Sequence, residues 1–325
     1  MSATAASPAP ASTLPHVPVT IFAAVMGLAG LGLAWRKAAL VLGTPAIVSH
    51  ALLVLAALVF VAATVTYGLK WLRCTQAVRA EFNHPIRSAF FSTFPVALLL
   101  LAAGLHPFSP MGGLALWGLG AVLQLGLTIR LIARWMVHKQ DIAHVNPAWF
   151  IPIVGNIVVP VLGARLGLDE ISWFFLSVGM MFWLPLLAIV LYRVMFHEAL
   201  PPRLLPTLFI LLPPPAIGYV AYVELTGQVD AFAQTLVNGA LFLTLVLAVM
   251  IRRFIGLPVA VSWWAFTFPL DAVALASLEH GHHFGNGMWP AMGALLLAVA
   301  SAVVALVLVR SLSAMVAGAL FVAEG

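Results

Sequence analysis

Apolar stretches of about twenty residues follow one another along this chain, separated by short clusters of Gly, Pro and charge. At a 1.5 Å rise per residue, each is long enough to cross a hydrocarbon core of roughly 30 Å. The apolar positions do not alternate with polar ones at period two, so barrel strands are excluded, and helices remain as the element that bonds all its backbone groups within one segment. Breaking the chain at the clusters predicts ten helices, at about 17–36, 46–72, 86–104, 113–137, 148–163, 171–197, 204–224, 230–254, 258–279 and 287–312. The fold class is all-α and integral to a membrane. Residues 1–15 read as a short disordered tail and 16–325 as a single ten-helix transmembrane domain. No connection is long enough for a second domain, the longest being the stretch around Arg73 to Pro85.

Composition agrees. Of 325 residues, 63% are hydrophobic and 8% charged, with a mean hydropathy of +1.10, whereas a soluble domain carries about 25% charge. The lone Cys74 excludes a disulfide framework, no Cys/His spacing resembles a structural zinc site, and no cofactor is implied. The tail has no Lys or Arg, so the basic region of a secretory signal is missing. The formal charge of +5 does not signal nucleic acid, because the basic residues stand singly or in pairs between apolar runs.

Topology explains them better. With the N-terminus inside, the inner side holds Lys70, Arg73, Arg79, Arg87, Arg130, Arg134, Lys139, Arg193, Arg203, Arg252, Arg253 and Arg310, and the outer side only Arg36, Lys37 and Arg165. That split of 12 against 3 puts both termini in the cytoplasm of a multi-pass inner-membrane protein.

Proline adds a second regularity, since it falls on alternate helices: Pro15 and Pro18, Pro85 and Pro95, Pro147, Pro152 and Pro160, Pro206 and Pro213 to Pro215, Pro258 and Pro269. Pro185 is the internal exception on the even helices. Proline removes a donor and kinks a helix, freeing a carbonyl that is tolerated at membrane depth only in protein or along a watery cavity. The pattern predicts five helical hairpins, with kinked odd helices as an inner pore ring and straight even helices outside.

Three stretches resemble the tellurite-resistance/dicarboxylate transporter family, which includes bacterial tellurite-resistance channel homologues, plant guard-cell slow anion channels, and yeast malate and sulfite transporters. They are Pro18 to Trp35, with Gly27 at its centre; Glu81-Phe-Asn-His84-Pro85-Ile-Arg87-Ser88-Ala-Phe90-Phe91 with Pro95; and Ser262-Trp263-Trp264-Ala265-Phe266-Thr267-Phe268-Pro269-Leu270. The resemblance implies a homotrimer with one pore per protomer, lined by the odd helices, for small inorganic or organic anions. It also implies that Phe268, the second Phe of the last motif, plugs the pore. One departure concerns gate packing: where bacterial members carry small glycines in the first helix, this chain reads Phe22-Ala23-Ala24.

Around that gate the candidate pore-lining residues are Phe22, Ala23, Gly27, Ser88, Phe91, Pro95, Asn156, Pro213, Phe266 and Asp271. Phe266 and Phe268, two residues apart, project about 200° apart on a helix, so only one can face the axis. Asp271 lies near mid-membrane, where an ionisable group costs roughly 3 kcal/mol. Being close to one turn after Phe268, it is either a functional carboxyl or a structural hydrogen-bond partner of a neighbouring helix. Gly27, Gly30 and Gly32 favour close helix packing. Asn156 and Ser88 are potential donors to a dehydrated anion. Glu224 and Asp230 fall at helix ends and read as solvated. The ten histidines sit at helix ends or in loops, and metal-like spacing occurs only around His280. These features predict an anion channel, with a proton-coupled carrier of C4-dicarboxylate (malate) or of sulfite- or tellurite-related anions as the alternative; no catalytic constellation points to an enzyme. A reporter active only in the periplasm, fused to Gly325, is expected to give no signal in cells, and a strong signal overturns the orientation.

Overall fold

The structure is a computed structural model that describes residues 13–284 and 287–321; the predicted tail therefore lies outside the described residues up to residue 12, and Leu14–His16 forms a 3-10 turn. The described residues are helical and contain no strand. In chain order the α-helices are α1 Phe22–Leu42, α2 Ala46–Arg73, α3 Thr75–Asn83, α4 Thr93–Leu105, α5 Pro110–Val137, α6 Ile151–Gly163, α7 Asp169–Phe196, α8 Pro213–Thr226, α9 Ala231–Val249, α10 Thr267–Phe284 and α11 Met288–Val316. Counting their 3-10 openings, nine helical segments among the described residues are long and apolar enough to span a bilayer, and a shorter apolar one covers Pro147–Gly163. That segment opens with a 3-10 turn and still measures roughly 28 Å, close to the hydrocarbon thickness. Several predicted boundaries shift, among them the end of the helix predicted over 230–254, which stops at Val249, and that of the last, which runs to Val316. The first helix continues past residue 36 to Leu42, and the stretch read as the longest connection holds the short helix α3.

Burial divides the helices into two sets. Within the apolar window of each spanning segment, the buried share is 67%, 78%, 83% and 78% for the segments holding α1, α4, α8 and α10, but 22% to 33% for α2, α5, α7, α9 and α11. In α6 nearly every residue is buried. The five buried helices touch in a closed circuit, α1 to α4, α4 to α6, α6 to α8, α8 to α10, and α10 back to α1. Each also packs against the helix that follows it across the membrane, α2, α5, α7, α9 or α11. The outer helices turn large apolar side chains outward, such as Leu58, Val122, Met181, Phe242 and Leu295, because lipid is their solvent.

Each inner helix opens as a 3-10 helix before becoming α: Val19–Ile21, Arg87–Ser92, Pro147–Phe150, Leu205–Leu211 and Val261–Phe266 lead into α1, α4, α6, α8 and α10. This refines the proline reading. Pro95, Pro152, Pro213 and Pro269 stand in the first turn of the α portion, where a missing N–H is best tolerated; Pro160 and Pro185 lie inside an α-helix. These four prolines therefore mark the change of helix type and do not break a finished helix. A 3-10 turn winds tighter, so the change re-aims side chains within a few residues.

At the end of the bundle where the inner helices start, a buried ion pair fixes the start of α1. Glu81 of α3 receives Val19 N–H on Oε1 at 2.7 Å, and on Oε2 the Tyr67 hydroxyl at 2.9 Å and Lys70 Nζ at 2.7 Å. Lys70 also donates to Val17 C=O at 2.7 Å. Lys70 and Glu81 are both buried, so every proton and lone pair they lose to water has to be replaced inside. Glu81→Gln leaves the Lys70 ammonium buried without its counter-charge, and a loss of about 3–5 kcal/mol is expected. Thermal melting in detergent should show the drop, and a Lys70→Met/Glu81→Gln double variant should recover part of it.

Candidate functional site

The inner ring encloses an apolar cavity of about 50 Å³ whose wall takes residues from all five inner helices and their 3-10 openings. That is space for about three waters, or an anion of a few atoms. Thr20, Ala23 and Met26 come from the α1 segment, Phe90, Thr93 and Val96 from α4, Val154, Gly155 and Val158 from α6, Ile210 and Pro213 from α8, and Ser262, Trp264, Ala265, Phe268 and Pro269 from α10. The wall is almost wholly apolar. Thr93 already donates to Phe90 C=O at 2.6 Å. The Ser262 hydroxyl is buried and has no protein partner.

Phe268 and Phe266 part company at the change of helix type. Phe266, last in the 3-10 opening, packs edge-on against Phe209 and Phe254, with ring centroids 4.9 and 5.7 Å away. Phe268, in the first turn of α10, lines the cavity. Its ring lies on Gly30 of α1, so closely that a Cβ there would stand 2.9 Å from Phe268 Cδ2. One turn earlier, Gly27 lies under Thr267, where a Cβ would come within 2.1 Å of Oγ1. Gly32 instead faces Leu53 of α2. Helix α10 can approach α1 this closely only because α1 has no side chain at these points.

Gly30 also meets Asp271, whose Oδ2 would be 3.0 Å from an added Cβ. The Asp271 carboxyl is buried at 1% exposure, and neither oxygen has a hydrogen-bond partner. A structural bond to a neighbouring helix, one of its two sequence readings, is therefore not formed. Asp271 sits beside the Phe268 ring and not on the cavity wall.

Of the other candidates, Ala23 and Pro213 reach the wall, whereas Phe22, Gly27, Ser88, Phe91, Pro95, Asn156 and Phe266 do not. Phe22 belongs to an aromatic cluster with Phe60, Tyr67 and Phe94. Phe91 packs on Phe82 and Tyr67. Ser88 is buried in the opening of α4, and Pro95 packs beside Gly120 of α5. Asn156 donates its Nδ2 to Thr128 Oγ1 at 2.8 Å and to the Pro152 and Ile153 carbonyls at 3.1 and 2.9 Å, turning toward α5. Ser262 was missed as a candidate, although it opens the motif Ser262 to Leu270; nothing in its local sequence distinguishes it from a helix-start serine.

At the opposite end of the ring the three basic residues assigned to the outer side converge. Arg36 donates to Ala103 and Gly104 carbonyls at 2.9 and 2.7 Å, closing the end of α4. Lys37 pairs with Glu279 of α10 at 2.6 Å. Arg165, just beyond α6, pairs with Glu224 of α8 and lies near enough to Arg36 for the two charges to interact. The hydrogen bond to Glu224 pushes the Arg165 pKa up, so this guanidinium stays charged. Glu224, read as solvated, is thus paired, and Asp230 caps α9 through Phe232 and Ala233 N–H at 3.0 Å. The bond from the Tyr222 hydroxyl, then that of Ala233, holds the Asp230 pKa below its ordinary value. His280, read as a loop residue, lies in the last turns of α10 with Nδ1 3.0 Å from the Tyr219 hydroxyl. No group of three potential metal ligands occurs among the described residues.

Comparison with known proteins places this arrangement. The family model described as SLAC1, voltage-dependent anion channel, matches residues 16–312. The chain is 33% identical to the S-type anion channel SLAH3 of Arabidopsis thaliana over 305 residues, 91% of this chain and 48% of that protein. It is 31% identical to SLAH2 of the same plant over 81% of this chain and 52% of the relative. A tellurite resistance protein TehA homolog of Haemophilus influenzae is 26% identical over 82% of both chains. The chain spans about half the length of the plant relatives it matches.

Proposed function

Because this chain belongs to the voltage-dependent anion channel family, we propose that each protomer passes small anions through its own five-helix ring and that the Phe268 ring closes the path. The observation that carries this reading is Phe268 on the wall of an apolar cavity built from all five inner helices, seated against the bare backbone of Gly30. A phenyl ring across a narrow apolar passage excludes water and leaves a passing anion without ligands. Selectivity then comes from the field at the mouth where the inner helices start and from few donors beyond it. The inner helices run parallel, each returning through an outer helix, so five positive dipole ends gather at one end. At the other end Glu279 and Glu224 neutralise Lys37 and Arg165, and Arg36 lies on the carbonyls that close α4. The unpartnered Ser262 hydroxyl is one donor on offer at the cavity. The working form in this reading is a homotrimer in a cytoplasmic membrane with both termini inside.

Asp271 favours a second reading, a carrier that couples a C4-dicarboxylate such as malate, or sulfite, to protons. A carboxyl without a partner, in contact with the glycine that seats Phe268, is placed to exchange a proton when the ring moves. Liposome flux of chloride, nitrate and malate by the pure protein separates the two readings: currents without saturation indicate a channel, and saturating flux driven by a proton gradient a carrier.

Phe268→Ala is expected to raise anion flux, about tenfold for each 1.4 kcal/mol taken off the barrier. Phe266→Ala is expected to lose about 3–5 kcal/mol of stability through the cavity left among Phe209, Phe254 and Trp263, with no gain in flux. Flux per folded protein checks both, and if neither variant conducts better than the parent, the gate is not at this motif. Asp271→Asn should abolish the pH dependence of a carrier but chiefly alter conductance in a channel. Unchanged flux at every pH removes Asp271 from the mechanism.

A further inference from the structure

Outside the ring, a surface groove of about 1020 Å³ lies between the last turns of α5, the end of α3 and the connection after α5. We propose that it holds the headgroup of an anionic phospholipid, with the phosphodiester on Arg130 and Lys139 and the acyl chains along α5.

The cations come first. The Arg130 guanidinium lies over the Phe82 ring, 5.1 Å from its centre. Arg134 donates one nitrogen to Phe82 C=O at 3.0 Å and the other to Asn83 C=O. One residue of α3 thus orients both guanidinium groups before any ligand arrives, so less side-chain freedom is lost on binding. Both keep N–H groups free for an oxyanion, and guanidinium is the side chain best matched to a phosphate. Lys139 and His138 lie on the same wall. The acid among the lining residues is Asp141, whose carboxylate is engaged by Ala143 N–H at 2.9 Å. The groove therefore carries a surplus of positive charge.

Its other wall identifies the ligand as a lipid. Gly126, Ile129, Ala133 and Val137 of α5 also line it, and Ile129 and Val137 are 60% and 76% exposed. They continue the lipid-facing stripe of a helix that crosses the membrane. Arg130 and Arg134 stand in its last two turns, roughly 5–10 Å from its end, which is headgroup depth. A free phosphate would leave this apolar wall uncovered, whereas a phospholipid covers both walls at once.

The full chain in neutral detergent, given phosphatidylglycerol or phosphatidylcholine of matched acyl chains, tests the site by native mass spectrometry. Phosphatidylglycerol should be retained over phosphatidylcholine, and Arg130→Gln/Lys139→Gln should lower its retention about tenfold or more. Arg134 is left in place because it closes the end of α3. Millimolar inorganic phosphate should not displace the lipid. Arg252→Gln/Arg253→Gln, a basic pair elsewhere at the same end, should retain as much lipid as the parent, and a melting curve in phosphatidylcholine confirms that each variant is folded. Equal retention of the two lipids, no loss in the Arg130/Lys139 variant, or an equal loss in the control pair overturns the proposal. Displacement by phosphate makes this a free-anion site and overturns the lipid assignment, as does a groove found closed by a second copy of the chain.

Discussion

Backbone amides and carbonyls inside a bilayer have no water to bond with, and the architecture of this chain follows from that single constraint. It forces every crossing segment to be helical. It then limits where a helix can be irregular, because a change of winding that would be harmless in water exposes unbonded groups in lipid. The five segments that change from 3-10 to α are the five that other helices surround, and the helices facing lipid are α throughout their crossing. Irregular backbone and internal cavity therefore occur together.

Within the ring, the missing side chains of α1 matter as much as the rings of α10. Gly27 and Gly30 bring α10 so near that Thr267, Phe268 and Asp271 rest on the α1 backbone. The same closeness removes water from the Asp271 carboxyl and ties its surroundings to the position of the Phe268 ring. Phe268 and Asp271 meet the same glycine, so the two proposed readings of transport share one piece of geometry and differ in what Asp271 does.

Apart from Asp271, charge lies toward the two ends, and part of it is paired there. Lys70 and Glu81 join α2, α3 and the start of α1 at one end. Arg36, Lys37 and Arg165 bind α4, α10 and α8 at the other. These pairs restrain helices whose mutual packing in lipid has little hydrophobic drive, and each neutralises its charge in place. In the groove beside α5 the same economy holds, since Phe82 orients two arginines.

Periodicity and composition alone determined that the chain is an all-helical membrane protein, and the alternation of proline marked which helices would be irregular. Lipid acts on every residue of a crossing segment alike, so this information is local and can be read along the chain. The motif Ser262 to Leu270 likewise directed attention to Phe268. What local sequence did not carry was direction. Asn156 and Phe91 looked like pore residues because they are polar or aromatic on inner helices, yet Asn156 turns to α5 and Phe91 to α2 and α3. The tighter 3-10 turns rotate each inner helix by an amount that no fixed period describes, and contacts between α1 and α10, more than two hundred residues apart, decide which face looks inward. Only the tertiary structure could therefore leave Asp271 without a partner, join Glu81 to Val19, and gather Arg36 and Arg165 at one mouth, because each pairing is made by helix packing and none by neighbours in the chain.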